Sequence, residues 1–174
     1  MLTVENDDFY SLLQVKLYND EKEKDSKEYQ SYITKPLDQI KIMNESVPFF
    51  ADVNKDGYTD ILYNDYTSKK LTVALYNLLT EEFDILLPFW ETFISSHENC
   101  AKPNKKSLLH VPHSSIVADF NNDCVGDLFL TLDNTAPAML FALISTTKSI
   151  TYCLTDLSGT YLDELSGHLV ADFN

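Results

Sequence analysis

The chain has 174 residues and a formal net charge of −14, from 27 acidic and 13 basic residues. That sign repels phosphate backbones and anionic lipid surfaces, so nucleic acid is not an expected partner. At 44% hydrophobic residues the chain has enough apolar material for a packed core, and no apolar run in it reaches the length of a bilayer span.

All thirteen basic residues are lysine, which removes the planar, bidentate grip that arginine gives on phosphate or carboxylate. The N-terminal Met1–Glu5 lacks the charged-then-apolar pattern of a secretory signal, so any signal or anchor of a parent protein is expected outside this chain. Cys100, Cys124 and Cys153 form no CxxC pair, which argues against a zinc or redox motif. They read either as three free thiols or as one disulfide plus a leftover, with Cys100–Cys124 the best-placed pair. Asn44-Glu45-Ser46 is the one glycosylation sequon.

In chain order, Phe9–Tyr18 reads as a strand, and the charged run 19–30 as a solvated hairpin loop. Tyr32–Thr34 resumes β character. Val47–Val53, Asp60–Tyr63, Leu71–Leu78 and Phe83–Phe89 then form a four-strand pattern separated by turn-like stretches. A helix over Leu78–Ile94 competes with the fourth strand, but Pro88 in its interior argues against it. Residues 91–113 break the pattern and read as an insertion or a long connection. The pattern repeats in Ser115–Phe120, Asp127–Leu132, Met139–Ile144 and Ile150–Leu154, and His168–Ala171 begins another unit. The strands are nearly apolar throughout rather than alternating, as expected of sheets covered on both faces.

One acidic motif punctuates these strands. Asp52-Val53-Asn54-Lys55-Asp56-Gly57-Tyr58-Thr59-Asp60 returns as Asp119-Phe120-Asn121-Asn122-Asp123-Cys124-Val125-Gly126-Asp127 and begins again at Asp172-Phe173-Asn174. The first residues lie at 52, 119 and 172, intervals of 67 and 53, which suit four-stranded blades. Side-chain oxygens at positions 1, 3, 5 and 9, with a backbone carbonyl at position 7, are the donors that a hard cation such as Ca²⁺ takes. The expected ligands are Asp52, Asn54, Asp56, Tyr58 (carbonyl) and Asp60, then Asp119, Asn121, Asp123, Val125 (carbonyl) and Asp127. Gly57 fills position 6, where the chain turns sharply, but Cys124 stands there in the second copy. A positive φ at Cys124 would cost roughly 1–2 kcal/mol and weaken the second site. An EF-hand needs a bidentate Glu at position 12, which here holds Tyr63 or Leu130, and needs flanking helices.

The run Phe50–Leu62 resembles the FG-GAP (VCBS-type) repeat of integrin α-subunit propellers, and Val117–Phe129 resembles the same repeat. His113–Leu130 is most similar to the T-cell immunomodulatory protein branch of that group. The resemblance implies the ectodomain of a single-pass membrane protein, with an integrin-like β-propeller and structural calcium loops. The Phe-Gly and Gly-Ala-Pro signatures are not evident, so the repeats are divergent.

The histidines offer little else. His110 and His113 are three apart, but Pro112 between them disfavours a helical metal pair, and Ser114–Ser115 beside His113 only superficially resembles a nucleophile–base pair. No catalytic residue is expected. The fold expected is all-β, a β-propeller segment of about two to three four-stranded antiparallel blades. Residues 1–46 form a partial blade, 47–113 a blade with an insertion at 91–113, 114–166 a second blade, and 167–174 a truncated repeat. The function expected is an extracellular calcium-binding module for protein–protein interaction or adhesion, not membrane-embedded itself, from a membrane-anchored or secreted parent. The alternative is an accessory or catalytic propeller of a secreted hydrolase or lyase.

Overall fold

The fold, taken from a computed structural model, is described for residues 2–4, 9–18, 31–93, 106–111, 115–120, 122, 124, 126–133, 138–144 and 150–156. Within 2–36, except Ser11 and Leu12, and within 138–156, the description covers the backbone alone. The charged run 19–30 and the third motif copy at 172–174 lie outside these residues.

The architecture is all-β and antiparallel. Among the described residues twelve strands run in chain order: β1 (Leu2–Val4), β2 (Phe9–Tyr18), β3 (Ser31–Pro36), β4 (Ile42–Met43), β5 (Phe49–Ala51), β6 (Asp60–Asn64), β7 (Leu71–Asn77), β8 (Glu82–Pro88), β9 (Ile116–Ala118), β10 (Asp127–Leu130), β11 (Ala138–Ile144) and β12 (Ile150–Asp156). They form three four-stranded sheets among the described residues. Two are simple meanders, β5-β6-β7-β8 and β9-β10-β11-β12. In the first sheet β2 is central, between β1 and β3, and β4 also pairs with β2. Strands β1 and β4 have three and two residues, too short to show a period in sequence.

The two meanders share a register. Phe49, Phe50 and Ala51 face Leu62, Ile61 and Asp60, and Ile116, Val117 and Ala118 face Phe129, Leu128 and Asp127. Each acidic motif therefore joins the first two strands of its sheet, with residue 9 paired across the strands to the residue that precedes position 1.

Strand β6 is buried along its whole length. Leu62 faces a core shared with Val73 of β7 and with Leu128 and Leu130 of β10. Ile61 and Tyr63 face the other way, into a cluster with Leu12 of β2 and with Leu37, Ile40 and Ile42. The middle sheet is thus covered on both faces, which accounts for the continuous apolar runs.

Within the run 78–94, strand β8 ends at Pro88 and a one-turn helix, α1 (Phe89–Thr92), follows. Proline is tolerated at a helix start, where its missing N–H is not needed. Phe89, Trp90 and Phe93 are buried in the same core as Leu62. The Trp90 indole donates to the Ser107 carbonyl (2.7 Å). Asn64 grips Leu109 from both sides: its Nδ2 donates to the Leu109 carbonyl and its Oδ1 accepts the Leu109 N–H, each at 2.8 Å. Leu109 in turn bridges to Leu132. The described ends of the segment 91–113 are therefore part of the core.

Tyr63 is fully buried, and among the described residues its hydroxyl has no hydrogen-bond partner. Burial pushes its phenol far above the usual range. Tyr63→Phe should therefore raise unfolding free energy by about 1 kcal/mol, whereas Leu62→Ala should lower it by about 3 kcal/mol through an unfilled cavity. Urea denaturation of both variants checks the contrast.

Candidate metal centre

Each acidic loop is closed by its own last carboxylate. Asp60 is fully buried. Its Oδ2 accepts the Val53 N–H (2.9 Å) and its Oδ1 accepts the Tyr76 N–H (3.0 Å). One side chain thereby ties position 2 of the loop to β6 and β7. Asp127, equally buried, accepts the Phe120 N–H at 2.9 Å, the same position 2 to position 9 bond.

The first residue of each motif makes a second shared contact. Asp52 Oδ2 accepts the Gly57 N–H (2.9 Å), and Asp119 Oδ2 accepts the Cys124 N–H (2.8 Å). Both loops enter the left-handed region at position 4, with φ 62° at Lys55 and 60° at Asn122. Both do so again at position 6, with φ 88° at Gly57 and 65° at Cys124. Such angles are uncommon outside glycine, and they coincide at the described positions 4 and 6 of the two loops. The positive φ anticipated at Cys124 is present. The Cys124 thiol is free and exposed in the structure; Cys100, the partner anticipated for it, lies outside the described residues.

Four further oxygens surround the turn of the first loop. The Asp56 N–H is shared between Asp52 Oδ1 and Asn54 Oδ1, both at 3.1 Å. The Tyr58 N–H donates to Asp56 Oδ1 (2.9 Å), and Asn54 Nδ2 donates to Asp56 Oδ2 (2.8 Å). Tyr58, expected to offer its carbonyl, is held by an aromatic row: its ring centroid lies 5.5 Å from Tyr76, which lies 5.3 Å from Phe83.

Burial pushes the Asp60 carboxyl above its ordinary value of 3.8; the Tyr76 and Val53 N–H groups pull it back, and the Asp56 charge adds to the rise. The folded chain therefore holds this proton more tightly than the unfolded chain. Its contribution to stability is full below pH 3.8 and is lost as pH rises through the folded value.

The donor set of the first loop is entirely oxygen, the chemistry of a hard cation. An ionised carboxylate has about four lone-pair sites, so the N–H bonds leave acceptor capacity on Asp52, Asp56 and Asp60. Among the described residues no three His, Cys, Asp or Glu side chains are gathered as a metal-holding group; Asp60 is turned to Val53 and Tyr76 instead. In the second loop Asp119 and Asp127 are described, while Asn121, Asp123 and Val125 lie outside the described residues.

His113, His97 and His168 lie outside the described residues. His110 Nδ1 is 3.8 Å from Asp133 Oδ1, beside a cavity of about 200 Å³ that Met43, Asn44 and Asn64 also line. Sequence reading missed this neighbourhood because its members come from distant stretches of chain. It also missed the left-handed position 4, for which Asn122, a residue tolerant of that conformation, was the available signal.

No protein-family model matches the chain, and comparisons with curated proteins and with solved structures found no match.

Two outcomes test the loop geometry. Asp60→Ala strands two backbone N–H donors and should lower stability by about 3 kcal/mol in chemical denaturation. Cys124→Gly should raise it by up to about 1 kcal/mol, because relief of the left-handed strain exceeds the entropy that glycine adds to the unfolded chain.

Proposed function

We propose that this chain is an extracellular calcium-binding β-propeller module of FG-GAP type, similar to the T-cell immunomodulatory protein family, that serves protein–protein interaction. Its parent would be membrane-anchored or secreted, with this segment outside the bilayer. The observation that carries the reading is the equivalence of the two acidic loops. They share register, two hydrogen bonds and two left-handed positions, at the same corner of two successive four-stranded meanders.

In this reading Asp52, Asn54, Asp56, the Tyr58 carbonyl and Asp60 hold the first Ca²⁺, and Asp119, Asn121, Asp123, the Val125 carbonyl and Asp127 the second. The bound cation supplies charge neutralisation and nothing reactive. The chain's own residues do the rest: Asp60 and Asp127 anchor the loops to the sheets, and the row Tyr58–Tyr76–Phe83 orients the backbone between positions 6 and 9.

A surface suited to a partner supports the interaction reading. Leu78 and Leu79, 55% and 94% exposed, stand at the tip of the β7–β8 hairpin. Asn77 Oδ1 accepts the Leu79 N–H (3.0 Å), and Asp84 Oδ2 accepts from Asn77 Nδ2 (3.1 Å) and Thr80 Oγ1 (3.0 Å). The tip that displays the leucines is thereby braced by side-chain bonds.

Thermal melting with 10 mM Ca²⁺ and with chelator tests the calcium reading. At a dissociation constant of about 10⁻⁴ M, each site adds about 2.7 kcal/mol, a rise of about 5–10 °C for a chain of this size. Asp52→Ala/Asp56→Ala should lose the first site's share of that rise. A melting temperature indifferent to Ca²⁺ would refute structural calcium.

A further inference from the structure

The sequon Asn44-Glu45-Ser46 forms the turn that leaves β4 towards β5. The Ser46 N–H donates to the Met43 carbonyl (3.1 Å), and Glu45 takes the left-handed third position of the turn, with φ 64°. Asn44 and Glu45 are exposed, whereas Ser46 is only 3% exposed. An N-glycan acceptor asks a different thing of each end of the motif. The transferase reads the hydroxyl on extended chain, and the asparagine must afterwards have room for a sugar. The folded turn gives that room and withholds the hydroxyl, so acceptance belongs to the chain before this turn closes.

The turn has a definite place in the fold. Ile42 bridges to Asp65, the Tyr66 N–H donates to the Lys41 carbonyl (2.8 Å), and Asn44 lines a cavity with Asn64. Asn64 ends β6, and Asp60 begins it next to the first acidic loop. Because antiparallel strands reverse direction at each turn, the Leu78–Leu79 tip between β7 and β8 lies at the Asp60 end. The two ends of β6 are about 13 Å apart. The sequon therefore sits at the opposite end of the middle sheet from the first acidic loop and the leucine tip.

We propose that Asn44 is the acceptor of an N-linked glycan, which covers the cavity end of the middle sheet and leaves the leucine tip open to a partner. This rests on the extracellular part of the functional reading and not on its calcium part. In the step, the Asn44 amide nitrogen bonds to the anomeric carbon of an oligosaccharide carried on a lipid diphosphate. The bond from that carbon to the diphosphate oxygen breaks, the lipid diphosphate leaves with the electron pair, and the amide gives up one proton. The cavity beside Asn44 has a lining that suits a sugar: Met43 and Val111 match its C–H faces, and His110 and Asp133 match its hydroxyls.

The test expresses the full chain behind a cleavable secretory signal in a eukaryotic cell line, with a second acceptor sequon appended at the C-terminus. The appended sequon reports entry into the secretory compartment, so a bare Asn44 is a failure of the site and not of location. Intact mass should show two glycans on the wild type and one on Asn44→Gln, and peptide N-glycosidase should remove both. A chain glycosylated on the appended sequon alone overturns the proposal. Hydrogen exchange then reads the placement: against Asn44→Gln, the glycosylated chain should exchange several-fold more slowly over 108–111 and equally over 77–82. Slowing over 77–82, or no slowing over 108–111, overturns the covering role. The parent protein isolated from its own cells tests the extracellular reading separately, since a bare Asn44 there beside a glycosylated one in the directed chain refutes that reading and leaves the acceptor site standing.

Discussion

A buried carboxylate that accepts main-chain N–H groups is the constraint on which the loops, and through them the sheets, depend. Asp60 has lost its water, an unfavourable state for an ionised group that is offset only in part by the Val53 and Tyr76 N–H donors. Those donors belong to different stretches of chain, so a single side chain sets where the loop starts, where β6 starts, and how β7 lies beside it. Asp127 repeats the bond to position 2 of its own loop. The acidic motif is in this sense first a device for closing a strand–loop–strand corner. Its remaining carboxylates are organised around the corner that this bond makes.

The sheets then follow from burial. With β6 covered on both faces, Leu62 and its opposite-facing neighbours Ile61 and Tyr63 belong to two different cores. The middle sheet is therefore the partner of both others, and its first hairpin carries the first acidic loop. Asn64 extends the same logic beyond the sheet: by mimicking a strand neighbour for Leu109, it draws a segment distant in sequence to the end of β6. The contact with Leu132 completes a path from β6 to the end of β10.

The two loops match in backbone at their described positions 4 and 6 and differ in chemistry. Glycine relieves the left-handed turn in the first, and cysteine bears it in the second; the Lys55 ammonium leaves the first and donates to the Gly126 carbonyl of the second. A chain with 27 acidic and 13 basic residues has few positive charges to place among its carboxylates, so the location of each one matters.

By itself the sequence determined the all-β class, the four-strand pattern of both meanders, and the identity and spacing of the acidic motifs. Those features are local: a run of apolar β-formers bounded by turn residues declares a strand, and a recurring Asp-x-Asn-x-Asp declares a loop. The Phe9–Tyr18 strand was legible to the residue for this reason, whereas β1 and β4 were not, being too short to carry a period. Only the tertiary structure decided that the ends of the segment 91–113 are core, that Cys124 is a free thiol on a strained turn, and that Lys55 crosses to Gly126. Each depends on which distant stretches meet, and hydrophobic packing is non-directional: it requires that Trp90 and Leu109 be buried but does not name their neighbours. The meeting of the two loops is of the same kind, set by the stacking of whole sheets through Leu62, Leu128 and Leu130 rather than by anything written at positions 55 or 126.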